Sequence, residues 1–401
     1  MTARRRSRLM LAAAGLAVVA SGACATTRPA SSPDTIAAPI DADATAETRA
    51  LFQNLRALAG RGILFGHEGS LAYGVHWRYE PGRSDVRETA GSYPAVYGWD
   101  VNMLLSRRPG DPTGAAARAA LRRWIAEGYG RGGVITMAWH ADNPVSRGNA
   151  WDTTRAVEHL LPGGSHHAAY RARLDTVAEF FSTLRARGPD GRETLVPVVF
   201  RPFHEMGGSW FWWGGRHRSA EQFVALWRFT VEYLRDRRGV HNLLYAYSTD
   251  VFDSKDDYLR HYPGDAWVDL LGFDDYQSVR TPATRAVLVR RLRDVVELAD
   301  ARGKLAAVTE TGVETVPDSL WWTRTLLPAL LADSVTRRVS WVLAWRNANR
   351  LTDRPDHFYA PYAGHPSAAD FKRFRDHPMI LFEDELPPLY GRATPRTATP
   401  R

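Results

Sequence analysis

Short, continuously apolar runs recur along the chain at positions 63–65, 95–99, 134–139, 196–201, 243–247, 270–273, 305–309 and 339–345. None alternates apolar with polar residues, as a strand with one wet face would. The pattern predicts parallel strands covered on both faces. Between the runs the spacing turns helical. Tyr170, Leu174, Val177, Phe181 and Leu184 share one face. Ser219 with Gln222 three residues on reads as a capping box ahead of Phe223, Leu226, Trp227, Val231 and Leu234, and Gly239 stops that helix. Val287, Leu288, Leu292, Val295 and Leu298 repeat the pattern up to Gly303. Eight such units predict an α/β fold, a single-domain (β/α)8 TIM barrel over residues 42–390. An open doubly wound sheet would carry a Gly-rich phosphate loop after its first strand. No G-x-G-x-x-G or Walker sequence is present, so nucleotide chemistry is not expected.

In a barrel of this kind the active site forms where strands end. The fourth run closes on Arg201-Pro202-Phe203-His204-Glu205 and continues through Met206, Gly207, Gly208, Ser209, Trp210, Phe211, Trp212 and Trp213. The seventh closes on Thr309-Glu310-Thr311. Glu205 and Glu310 thus come from opposed parts of the ring, as the two carboxyls of a retaining glycosidase must, with one attacking the anomeric carbon and the other protonating the leaving oxygen. Tryptophans near strand ends (Trp99, Trp139, Trp151, Trp210, Trp212, Trp213, Trp345) offer flat apolar faces to sugar rings, although most of the 14 in the chain are expected in the core. At the sixth strand end Tyr276 is placed to bond the nucleophile and Asp274 to orient His204. At the third, His140 and Asn143 suit sugar hydroxyls. His67, His140 and His204 show no metal-ligand spacing, and no metal or other cofactor is expected. Ser209 lacks a nucleophile elbow.

The run from Arg201 to Gly214 resembles the acid/base motif of glycoside hydrolase family 26, mostly β-mannanases. Ile63-Leu64-Phe65-Gly66-His67 resembles the family's opening strand. Leu160-Leu161-Pro162-Gly163-Gly164, Trp345-Arg346-Asn347-Ala348 and the segment from Ala360 to His365 resemble later parts of it. The resemblance implies a barrel with Glu205 as acid/base and Glu310 as nucleophile. It implies His204 at the reaction centre, Trp210 on the leaving-group side, and Tyr276 and Asp274 in support. Trp151 and Arg346 would bind the non-reducing side, with His67 and Trp345 among the substrate contacts. Glu68-Gly69-Ser70 and His76 depart from the family pattern near the first strand's mouth. The implied substrate is β-mannan, with mixed-linkage β-glucan or β-1,3-xylan as alternatives. A non-catalytic glycan-binding lipoprotein is the reading from a different class.

The ends of the chain read differently. Arg4, Arg5, Arg6 and Arg8 precede an apolar run and Cys24, the layout of a signal peptide over 1–24. Ser21-Gly22-Ala23-Cys24 resembles a lipoprotein box, with Cys24 lipidated, and ordinary cleavage near Cys24 is the alternative. Residues 25–41, rich in Ala, Pro, Ser and Thr, suit a disordered tether, and a Pro/Thr/Arg-rich bias after Leu386 leads into a disordered tail at 391–401. The protein is therefore expected to be secreted or anchored to the cell envelope, with the lipid as its sole membrane contact. The net charge of +8 falls to about +4 once those four arginines are removed. The arginines form no stripe, so no nucleic-acid partner is expected, and a monomer is.

Overall fold

The computed structural model describes residues 38–105, 114–348 and 353–391. The signal segment with Cys24, most of the tether and nearly all of the tail lie outside the described residues. Eight parallel strands run in chain order: β1 (Ile63–Glu68), β2 (Val96–Asp100), β3 (Val134–Trp139), β4 (Val198–Pro202), β5 (Leu243–Thr249), β6 (Leu270–Asp275), β7 (Leu305–Thr311) and β8 (Trp341–Ala344). Each pairs with the next, and β8 returns to β1 in the register Leu64↔Trp341 to His67↔Ala344. The result is a closed (β/α)8 barrel. Its strands are buried almost throughout, which accounts for their continuously apolar sequence.

The helices follow the expected faces with two exceptions. Ser219 and Gln222 form both bonds of the capping box at the start of Ala220–Glu232, whose apolar face is buried. A π-turn, Tyr233–Arg237, extends that helix before Gly239 at φ +61° releases the chain. In Arg285–Ala301 the buried stripe is Leu288, Leu292, Val295 and Ala299, and Val287 stands 38 % exposed on the other side. Leu184 falls beyond the end of His167–Ser182 and leads into a small hairpin, Arg185–Arg187 with Glu193–Leu195. Gly188-Pro189-Asp190-Gly191 makes its turn, a signal that was present in the sequence.

Between barrel and helices the packing is aromatic. The Phe65 ring lies 5.2 Å from Phe371, 4.9 Å from Phe382 and 5.9 Å from Trp322. Burying a side chain of that size contributes about 1.5–3 kcal/mol. The helix Ala46–Leu58 and the residues before it meet the chain where strands begin: Ile40 N donates to Asp269 Oδ1 at 2.7 Å, Thr45 N to His241 O at 2.8 Å and Arg56 Nη1 to Lys304 O at 2.9 Å. Packing thus starts a little before position 42. It also continues past Leu386, where Asn54 Nδ2 donates to the carbonyls of Leu389 and Gly391 and Tyr390 donates to Gly133 O.

Inside the barrel, space is set by missing side chains. A Cβ on Gly272 would lie 2.6 Å from Thr309 Cγ2 and 2.8 Å from its hydroxyl. Thr309 cannot retreat, because its hydroxyl bonds Asp274 and Ser248 at 2.7 Å each. Gly272→Ala should therefore lower unfolding free energy by about 1–3 kcal/mol in a denaturant titration; an unchanged midpoint would show that β6 and β7 yield freely.

Candidate active site

The turn after β4 is built to hold one carboxyl. Phe203 and Glu205 both adopt left-handed backbone (φ +52° and +55°), a conformation costly for such residues unless neighbours impose it. They do. Glu205 N donates to Ser248 O at 2.9 Å, and Trp213 Nε1 holds His204 O at 2.8 Å. Arg218 bonds the carbonyls of Met206 and Trp213. Trp212 and Trp213 are fully buried, so they serve this scaffold and leave Trp210, 41 % exposed, as the indole that faces the cavity. Gly208 lets the Trp210 ring fold back, since a Cβ there would sit 2.2 Å from it. Trp210 Nε1 then donates to Glu205 Oε2 at 2.6 Å.

Across the ring, both oxygens of Glu310 accept hydrogen bonds. Tyr276 OH donates to Oε2 at 2.9 Å, and the Arg201 guanidinium donates to Oε1. Arg201 also bonds Asp274 Oδ2 at 2.8 Å, and Ser248 and Thr309 donate to Asp274 Oδ1. A register shift between Phe273 and Asp274 brings Asp274 opposite Glu310. Asp274 was expected to orient His204, but it makes no hydrogen bond to that ring among the described residues. Its role is to anchor Arg201, because a buried carboxylate takes the nearest full cation before a neutral imidazole. Arg201→Met would leave Asp274 and Glu310 buried without their cation. A stability loss of about 3–5 kcal/mol is expected in chemical denaturation, and a variant as stable as the parent would mean the two acids are satisfied otherwise.

Glu205 and Glu310 line one cavity of about 560 Å³, together with His140, His204, Tyr276, Trp151, Trp210 and Trp345. Burial, then Asp274 and Glu310, raise the Glu205 carboxyl well above the usual range. Burial pushes Asp274 up to about 7 despite Arg201. One carboxyl thus favours its protonated form, and the other is held by a cation and a phenol. Such a pair can protonate a leaving oxygen and attack a carbon. His204, Asp274 and Glu310 also bring ligand atoms within 4.8 Å of one another, but Arg201 already occupies both carboxyls.

The remaining expected residues divide. Trp151, 49 % exposed, stacks on His140 at 5.4 Å. Arg346 pairs with Asp353, with Nη2 2.9 Å from Oδ1, and does not line this cavity. His67 is buried and does not line it either; burial pulls its imidazole down to about 4, opposed by Asn347. Asn143 was expected to meet sugar hydroxyls and does not. It is fully buried, its amide donates to the carbonyls of Asp152 and Thr154, and its carbonyl accepts from Val145 and Ser146 N–H. An Asn at the head of a loop satisfies local backbone first.

A family model described as glycosyl hydrolase family 26 matches residues 40–322. The chain belongs to glycosyl hydrolase family 26. It is 42 % identical to the family-26 β-mannanase structure from Bacteroides ovatus, which it matches with a TM-score of 0.79 over 86 % of this chain and 98 % of that one. The modular endo-β-1,4-mannanase from Cellulomonas fimi is 39 % identical, with a TM-score of 0.80 over 89 % and 80 % of the two chains. A mannan endo-1,4-β-mannosidase from Bifidobacterium adolescentis is 37 % identical over 354 residues, 84 % of this chain. The chain spans only 34 % of that curated relative's length. This family-26 site also uses residues that motif reading passed over. Asp100 bonds His140, Arg201 joins the two acids, and Tyr359, Arg280 and Glu314 line the cavity. Only Arg201 carried a signal in advance, as a charged residue inside an otherwise apolar strand.

Proposed function

We propose that the protein hydrolyses β-1,4-mannosidic bonds in mannan, galactomannan or glucomannan with retention, through a covalent glycosyl-enzyme. The observation that carries this is the unequal carboxyl pair on one cavity, Glu205 raised by burial and Glu310 held by Arg201 and Tyr276. Glu205 is the acid/base and Glu310 the nucleophile. Glu205 begins protonated and donates to the departing oxygen. When Glu310 becomes an ester its charge is gone, one cause of the raised Glu205 value is removed, and Glu205 turns into the base for water. Activity that needs protonated Glu205 is present at low pH and lost as pH rises through its raised value. Trp210 lies against Glu205 and suits the leaving-group side, while Trp151 and Trp345 suit the opposite side. The mannanase names of the similar proteins support mannan over other β-glycans.

The test is a substrate panel of β-mannan, galactomannan, glucomannan, mixed-linkage β-glucan and β-1,3-xylan, with product anomers followed by NMR. Fastest cleavage of a mannan with the β-anomer formed first is the expected result. Preference for another glycan would overturn the substrate, and initial α-anomer would overturn retention. Cys24, outside the described residues, is read as the lipidated residue of an envelope-anchored, monomeric protein. Labelled palmitate incorporation that vanishes in Cys24→Ser tests the anchor.

A further inference from the structure

Three side chains from three strand ends form a hydrogen-bonded line beside the carboxyl pair: Asp100, His140 and His204. Asp100 Oδ1 accepts from the backbone N–H of Asn102 at 2.8 Å and of His140 at 3.2 Å. That leaves Oδ2 for the imidazole, and His140 Nδ1 lies 2.8 Å from it. Burial opposes the charge on Asp100, but His140 and the two backbone amides outweigh it and hold the carboxyl below its usual range. An ionised carboxylate only accepts, so the proton sits on His140 Nδ1. With its one proton at Nδ1, the neutral form of His140 has a bare Nε2, and His204 Nε2 lies 3.2 Å away. Two nitrogens at that distance need one proton between them, which His204 supplies to the neutral form of His140. Burial, then Arg201, draw the His204 imidazole well below its usual value, which disfavours a second proton. With that proton on Nε2, Nδ1 is left as a lone pair. It is buried and has no partner among the described residues.

We propose that Asp100 is a positioning residue that, through His140, sets the proton on His204 Nε2 and leaves His204 Nδ1 an acceptor beside the reacting groups. The proposal rests on the reading of Glu205 and Glu310 as the catalytic pair. Both imidazoles line the same cavity as those carboxyls. Reversing the line puts a donor where the site has an acceptor, and a mismatched buried polar group costs its full desolvation penalty.

Asp100→Asn separates this from a structural role. The Asn oxygen must keep accepting the two backbone N–H groups, so its NH2 faces His140 Nδ1. The His140 proton then moves to Nε2, and the His204 proton to Nδ1. With β-mannan as substrate, kcat/KM should fall about 10- to 100-fold. In a His140→Phe background the line is already cut, and the same substitution should cost less than about 2-fold. An equal loss in both backgrounds, or Asp100→Asn above half of parental activity, overturns the proposal. A second measurement uses the parent protein alone. Nitrogen-15 NMR should find His140 protonated only at Nδ1 and His204 only at Nε2; the reverse, or two protons on His140, refutes it. That readout does not depend on activity, so it stays interpretable should the mannan reading fail.

Discussion

Glu310→Ala is expected to lower turnover on unactivated β-mannan by roughly 10⁵-fold, the scale on which removing a covalent nucleophile acts. Among the described residues the nearby carboxyls are already engaged, and Glu314 in the cavity wall is held by Arg354 and His357. Asp274 is engaged by Arg201, Ser248 and Thr309 in the barrel interior, and Glu205 is proposed to serve the leaving oxygen. The fold should survive, since Arg201 keeps Asp274 as a buried partner, and circular dichroism checks this. The diagnostic result is rescue. Azide fits the space the side chain leaves and attacks from the face Glu310 used, so with an activated substrate the product is an α-glycosyl azide. Retention of more than about a tenth of parental turnover on polysaccharide would exclude Glu310 as nucleophile.

The second large effect is at Glu205. Glu205→Ala should cost about 10²- to 10⁴-fold on mannan, the usual worth of a positioned general acid. With an aryl glycoside whose leaving group needs no proton, formation of the glycosyl-enzyme should remain fast. Its breakdown lacks a base, so a burst of aryl alcohol should precede a slow steady state. Azide should then accelerate turnover and yield the β-glycosyl azide, the opposite anomer from the Glu310 variant. The pH profile adds a sign. In the parent, kcat/KM falls on the alkaline side as Glu205 loses its proton, at a pH well above an ordinary Glu because burial, Asp274 and Glu310 disfavour its charge. That limb should vanish in the variant. An unchanged alkaline limb would assign it to another group.

The contrast between Glu205 and Glu310 shows how two identical side chains acquire different surroundings. Glu205 sits in a strained turn with an indole N–H donating to its carboxylate. Glu310 sits at the end of a strand with a guanidinium on one oxygen and a phenol on the other. Neither difference is chemical in origin. Both come from which neighbours the barrel brings up.

By itself the sequence determined the eight strands, because covered parallel strands are apolar along most of their length and the chain shows eight such runs. It also determined the strand ends that carry Glu205, Glu310 and Tyr276, since the mouth of a barrel is where strands stop. Cap and turn chemistry placed the helix at Ala220–Glu232 by the same local logic. Tertiary structure alone decided the pairings. Arg201 reaches Asp274 and Glu310 across separations of 73 and 109 residues, and Asp100 reaches His140 across 40. It sent Asn143 to its own loop, buried Trp212 and Trp213, and kept Trp151 and Trp210 in the open. Local rules read spacing along one chain; partner choice among buried charges depends on which strand ends meet when the ring closes, and no spacing records that.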